Sequence, residues 1–138
     1  MHQHCVFQLL NNWETSVLDT HAFIWWLNDS PELSSKANKI ISKPDNSIFV
    51  SHASYWEIAI KVSIGRLTFP LESIESELQL NGFELLPIKS SHILHSASLP
   101  MLHRDPFDRI LIAQAQIENL SLVTADQHIQ KYALSWIW

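Results

Sequence analysis

Ser16-Val17-Leu18-Asp19-Thr20-His21-Ala22-Phe23-Ile24-Trp25-Trp26-Leu27 passes from a strand to a helix through a single aspartate. Val17-Leu18 is short and apolar and ends at Asp19, which reads as a first buried strand. Thr20–Leu27 reads as the following helix, and its run Ala22–Leu27 is apolar on every side. Such a helix needs cover on two faces, one from its own core and one expected from a partner.

The alternation continues downstream. Ser34–Ser42 is predicted as a helix stopped by Pro44, Ser47–Ser51 as a strand, and Ser54–Ile64 as a helix ended by Gly65. Leu71–Leu80 follows as a polar-faced helix closed by Asn81-Gly82, then Phe83–Leu86 as a strand and Ser90–Ser98 as a helix. Asp105–Asn119 is a long helix opened by Asp105-Pro106. Leu120–Thr124 is a strand, Gln127–Tyr132 a short helix and Ser135–Trp138 a last edge strand. Strands alternating with helices of this length indicate βαβ units, a parallel sheet and the α/β class.

Asp19, Glu57, Asp108 and Asp126 each fall at a strand end or in the first turn of a helix. In a parallel α/β sheet those ends meet at one edge, in the crevice where such folds bind ligands. Carboxylates gathered there repel one another unless a cation joins them, and hard divalent cations such as Mg²⁺ prefer oxygen ligands. The pattern points to a metal-dependent hydrolase acting on phosphate esters.

Each acid also has a local role. Asp19 fits a helix N-cap, although Thr20 could cap instead and leave Asp19 for metal. Ser54-Tyr55-Trp56-Glu57 fits a capping box, and Lys61 stands four residues on from Glu57. Asp105 suits an N-cap, Pro106 the first helical position and Asp108 the third. Asp126 fits the cap of the final short helix. Each acid alone is a weak signal, and for Glu57 the local sequence favours the structural role without excluding the other. The joint placement of four acids at like ends of alternating elements is what points to a site.

Composition narrows the class. The 138 residues are the size of one domain, and 46% hydrophobic content is enough for a core. Two glycines and 17% charged residues argue against disorder. No apolar run approaches the roughly 20 residues of a membrane span. Met1–Trp13 lacks a basic n-region and is not read as a signal peptide. The lone Cys5 permits no internal disulfide and no thiolate cage, which fits a reducing cytoplasm. A net charge of −5 argues against broad adhesion to nucleic acid, but bound metal reverses the sign of an acidic pocket. His92 and His95 lie three apart on a predicted helix and share a face, with surface polarity as the simpler role than metal binding.

Four stretches in order resemble the PIN-domain nucleases, specifically VapC-like toxins of bacterial toxin–antitoxin pairs. They are Ser16–Leu27, Ser54–Lys61, His103–Arg109 continuing through Ile112-Ala113-Gln114-Ala115, and Leu122-Val123-Thr124-Ala125-Asp126. The similarity runs from residue 16 to the C-terminus, so residues 1–15 read as an N-terminal extension and 16–138 as the PIN domain. The resemblance implies a three-layer α/β/α sandwich around a mainly parallel sheet. It also implies an endoribonuclease dependent on Mg²⁺ or Mn²⁺, neutralised by a cognate antitoxin and leaving 5′-phosphate and 3′-hydroxyl ends. Asp19, Glu57, Asp108 and Asp126 inherit the metal and catalytic roles by position, with Thr124 and Asp105 in support.

Arg104, Arg109, His103 and Lys61, with Arg66, are candidates to hold the RNA backbone. Arg109 could instead pair with an acid on its own helix, and His103 could cap its loop. Trp25, Trp26, Tyr55 and Trp56 could stack on bases, but they crowd helices that must be covered and read first as core and interface. The aromatic helix favours a homodimer. A PIN-like module that binds RNA or protein without cleaving is the alternative.

Overall fold

The computed structural model describes residues 14–138. The expected extension therefore lies outside the described residues up to position 13. Glu14 and Thr15 already belong to the sheet: Glu14 donates its N–H to Asn46 Oδ1, and its carbonyl accepts from Ser47 N–H.

One parallel sheet holds β1 (Thr15–Leu18), β2 (Ser47–Ser51), β3 (Glu84–Leu86), β4 (Ser121–Val123) and β5 (Trp136–Ile137), in the order β3-β2-β1-β4-β5. The helices are α1 (Thr20–Leu27), α2 (Ser35–Ser42), α3 (His52–Ser63), α4 (Ile74–Asn81), α5 (Ser90–Ala97) and α6 (Pro106–Glu118). Successive strand side chains point to opposite faces, and the core divides accordingly. Leu18, Ile48, Val50 and Val123 join Phe23, Ala37, Ile58 and Leu78 on one face. Val17 and Leu122 join Leu111, Ile112 and Ala115 of α6 on the other, with Phe49 packed alongside. Both faces are covered, which is why the strands read as apolar runs. The result is an α/β/α sandwich.

The strand order places the site. The chain leaves β1 for β2 on one side, while β4 flanks β1 on the other. The carboxyl ends of β1 and β4 thus frame a topological switch point, the usual crevice for a ligand in such sheets. Asp19 N–H donates to Val123 O across that gap at 3.0 Å.

Several boundaries differ from expectation. The α3 helix starts at His52, and Ser51 is its N-cap, accepting from Ala53 N–H at 2.9 Å. Ser54 is inside the helix, so the capping box with Glu57 does not form. The predicted helix 71–80 is a 3-10 turn, Leu71–Ser73, running into α4. The α4 helix ends at Gly82, whose φ of +69° favours glycine. The last predicted helix is a single 3-10 turn, Ile129–Lys131.

Candidate functional site

Asp19 stands at the end of β1 and caps α1, accepting from Ala22 N–H at 2.8 Å. Thr20 does not cap. Its hydroxyl lies 2.7 Å from Glu57 Oε1 and 3.0 Å from Ser54 Oγ, so it joins α1 to α3. Burial pushes the Asp19 carboxyl above its ordinary range. The Thr124 hydroxyl and the Ala22 N–H oppose that rise, and the charge on Asp126 adds to it. Thr124 ends β4 and also accepts from Asp126 N–H at 3.0 Å, so one hydroxyl ties the acids that follow β1 and β4.

Asp105 caps α6 through bonds from Phe107 N–H at 2.9 Å and Asp108 N–H at 3.0 Å, with Pro106 at the first position. That geometry sets Asp108 in the first turn, facing the switch point. Burial pushes the Asp108 carboxyl up to about 7, with the Asp105 and Asp19 charges acting in the same direction and His103 against them. Asp126 accepts from His128 N–H at 2.7 Å and Ile129 N–H at 3.3 Å, fixing one of its oxygens. Its other oxygen, Oδ2, lies 3.6 Å from His103 Nε2, and that same nitrogen lies 2.7 Å from Asp108 Oδ2.

Among the described residues, His103, Asp108 and Asp126 form a group whose ligand atoms all lie within 4.8 Å of one another. Asp19 stands beside them, close enough for its charge to act on Asp108 and for that of Asp126 to act on it. Glu57 accepts from the hydroxyl of Thr20, the residue after Asp19, and its second oxygen binds Lys61 Nζ at 2.8 Å. The compact group is therefore two of the four acids plus a histidine. Hard oxygens with one imidazole form a donor set suited to a divalent ion, and a cation there would offset the burial that raises the Asp19 and Asp108 carboxyls. A cavity of about 790 Å³ lies at the other end of the sheet, beside Glu14, Asn119 and Ser121. It contains none of these acids, and chemistry rather than volume marks the site.

The PIN domain family model matches residues 16–134. The chain belongs to the PIN domain family. Comparison with curated proteins gave no match. Among solved structures, VapBC2 of Rickettsia felis bound to a promoter DNA fragment is similar at TM-score 0.66 and 19% identity, over 89% of this chain and 97% of that one. A toxin–antitoxin complex from Klebsiella pneumoniae gives 0.60 and 18%, over 89% and 96%. VapBC-1 of nontypeable Haemophilus influenzae gives 0.59 and 22%, over 89% and 96%. At these identities the likeness is one of fold.

In this PIN domain the cationic candidates divide sharply. Arg109 is buried. Its guanidinium donates to the carbonyls of Ser96, Leu99, Pro100 and His103 and approaches the Tyr132 hydroxyl. It binds the 96–103 segment, not an acid of its own helix. Lys61 is engaged with Glu57, whereas Arg104 and Arg66 are exposed. His92 and His95 do share a face of α5, and that face bonds α6. His92 Nε2 meets Glu118 at 2.9 Å and His95 Nε2 meets Gln116 at 2.6 Å.

The cover on α1 comes largely from within the chain. Trp25 packs on Trp138, and Trp26 packs on Phe83 while donating to Asn81 Oδ1 at 2.9 Å. Trp56 of α3 is 61% exposed and leans edge-on against Phe107, at the start of α6. It is the aromatic of this group placed to meet a base or a partner.

Proposed function

We propose that this PIN domain is a metal-dependent endoribonuclease, the toxin of a toxin–antitoxin pair, using Mg²⁺ or Mn²⁺. The observation that carries this reading is the cluster at the switch point, where Asp108 and Asp126 converge beside a buried Asp19 whose carboxyl is held high. Asp19 and Asp108 are assigned as direct ligands. Asp126 and Glu57 act as ligands, through water or directly, or orient the attacking water. Thr124 holds Asp19, and Asp105 aims Asp108 through the α6 cap.

When bound, a divalent ion neutralises charge on the phosphate and lowers the pKa of water beside it. The protein holds the scissile phosphodiester in line with that water. The water oxygen bonds to phosphorus as the P–O3′ bond breaks, one water proton passes to a carboxylate of the cluster, and the leaving 3′-oxygen takes a proton from solvent water. The products carry a 5′-phosphate and a 3′-hydroxyl. Arg104 lies exposed on the loop before Asp105, where it can meet the RNA backbone.

Antitoxin-free protein tested on total RNA decides the matter. Cleavage is expected to stop with EDTA, return with Mg²⁺ or Mn²⁺, and fail with Ca²⁺, whose larger size and looser geometry position water poorly. A substrate with a 2′-deoxy sugar at the cut site should still be cleaved. A 2′,3′-cyclic phosphate formed equally well in EDTA would overturn the assignment.

The structural neighbours named above are complexes of toxin with antitoxin, and we assign this chain a cognate antitoxin as well. An antitoxin arginine or similar cation entering the acidic cluster would displace the metal. A homodimer is proposed from Ile93, Leu94, Met101 and Leu102, which stand exposed on α5 and the loop after it. Light scattering at micromolar concentration should report more than one chain, and a stable monomer would remove the dimer. Among the described residues no helix is long and apolar enough to cross a membrane, and the proposed RNA substrate is consistent with a cytoplasmic protein.

A further inference from the structure

We propose that His103 is itself a metal ligand and that its imidazole shifts the site from Mg²⁺ toward Mn²⁺ and later transition ions. The proposal rests on the metal-centred reading of the site. His103 Nε2 stands 2.7 Å from Asp108 Oδ2 and 3.6 Å from Asp126 Oδ2, with all three atoms within 4.8 Å of one another. In an octahedral centre with bonds near 2.1 Å, adjacent ligands are about 3 Å apart and opposite ones about 4.2 Å. The two separations made by the His103 nitrogen, 2.7 and 3.6 Å, fall close to that range. The nitrogen stands where a ligand stands, and the contact it makes with Asp108 is one that a cation replaces.

The backbone of His103 is fixed on both sides. Its N–H donates to the Tyr132 hydroxyl at 2.9 Å, and its carbonyl accepts from Arg109 at 3.1 Å. Tyr132 and Arg109 are both buried, and the Tyr132 hydroxyl in turn donates to Pro100 O at 2.7 Å. The imidazole stacks on the His128 ring at 5.4 Å and 21°. A ring held this way needs little reorganisation to bind an ion. Mg²⁺ takes oxygen ligands, while imidazole suits the transition metals, so one nitrogen in the set separates the two classes.

Pulsed EPR of the full chain loaded with Mn²⁺ tests this apart from activity. The wild type should show ¹⁴N coupling from a bound imidazole, replaced by a ¹⁵N pattern when the unmutated chain is labelled with ¹⁵N-histidine. The coupling should vanish in His103→Gln and persist in His128→Gln. In equilibrium titrations His103→Gln should weaken Mn²⁺ by about tenfold or more and Mg²⁺ by much less. If His103→Gln does not fold, His103→Asn serves, with circular dichroism as the check. Mn²⁺ bound without nitrogen coupling, or with coupling that survives loss of His103, would overturn the ligand assignment and leave the carboxylate site standing. No Mn²⁺ bound by the wild type at all would defeat both this proposal and the metal-centred reading.

Discussion

Asp19→Asn is expected to lower RNA cleavage by about 10³-fold or more while raising the melting temperature of the metal-free protein. The two effects have one cause. Asp19 is buried, and burial holds its carboxyl above the ordinary range even with two hydrogen bonds opposing the shift. Asparagine caps a helix as well as aspartate, so the bond from Ala22 N–H survives. The new amide nitrogen finds the Thr124 hydroxyl as an acceptor. What disappears is a buried charge that only a cation compensates, and with it a metal ligand. Removing such a conflict commonly adds about 0.5–2 kcal/mol.

The pH dependence follows from sign. A carboxyl whose folded pKa is raised keeps its proton when the unfolded chain has lost it. It contributes stability that is full below the unfolded pKa and is lost as pH rises through the folded one. For Asp108, raised from 3.8 to about 7, that window runs from about 4 to about 7. Asp108→Asn should therefore match the wild type near pH 4 and exceed it increasingly up to pH 7, in melts with EDTA. Saturating metal reverses the order, because ion bound at a hundred times its Kd adds about 2.7 kcal/mol to the wild type alone. In cells, induced expression of Asp19→Asn without antitoxin should leave growth unimpaired. Growth arrest equal to the wild type by a folded Asp19→Asn would remove the catalytic assignment and favour a binding module.

The sheet was legible because each strand sends alternate residues to two buried faces, as Val17 and Leu18 do. The N-caps Asp19 and Asp105 were legible for the local reason that their side chains bond N–H groups two or three residues on. The start of α3 was not. Ser51 and Ser54 both satisfy the local rule, and the contact of Ser54 with Thr20, 34 residues away, decides between them. His103 opens the third motif, which made it a candidate for phosphate contact or for capping its loop. Its approach to Asp126 depends on α6 and β4 meeting, and nothing within the motif encodes that. The covers of Trp25 and Trp26, Trp138 and Phe83, are equally distant in sequence. A helix apolar on all sides therefore signalled burial correctly without showing that its cover is intramolecular.

Arg109 is where local reasoning failed most, and it carries the largest expected effect on stability. An arginine after Asp108 on a helix facing the acidic cluster invites a phosphate or an ion pair. Its guanidinium is instead inside, donating to the carbonyls of Ser96, Leu99, Pro100 and His103. Those carbonyls run from the last turn of α5 through the segment before α6, which has no regular ladder to satisfy it, so one five-donor fork takes the place of a strand partner. Arg109→Met fills similar space but strands the Leu99 and His103 carbonyls, since Pro100 O keeps the Tyr132 hydroxyl and Ser96 O the Leu99 N–H, and each buried unsatisfied group costs roughly 1–3 kcal/mol. The expected loss is about 3–5 kcal/mol, within the range reserved for broken buried networks, or a drop in melting temperature on the order of 10 °C or more. Arg109→Lys should recover only part, because an ammonium offers three donors from one point and cannot span carbonyls on both sides. Since Arg109 holds the His103 carbonyl, Arg109→Lys that folds should also bind Mn²⁺ more weakly than the wild type. Urea unfolding of both variants measures the first effect and metal titration the second. A loss below about 1 kcal/mol in Arg109→Met would mean that solvent reaches those carbonyls and that the guanidinium does not organise the loop.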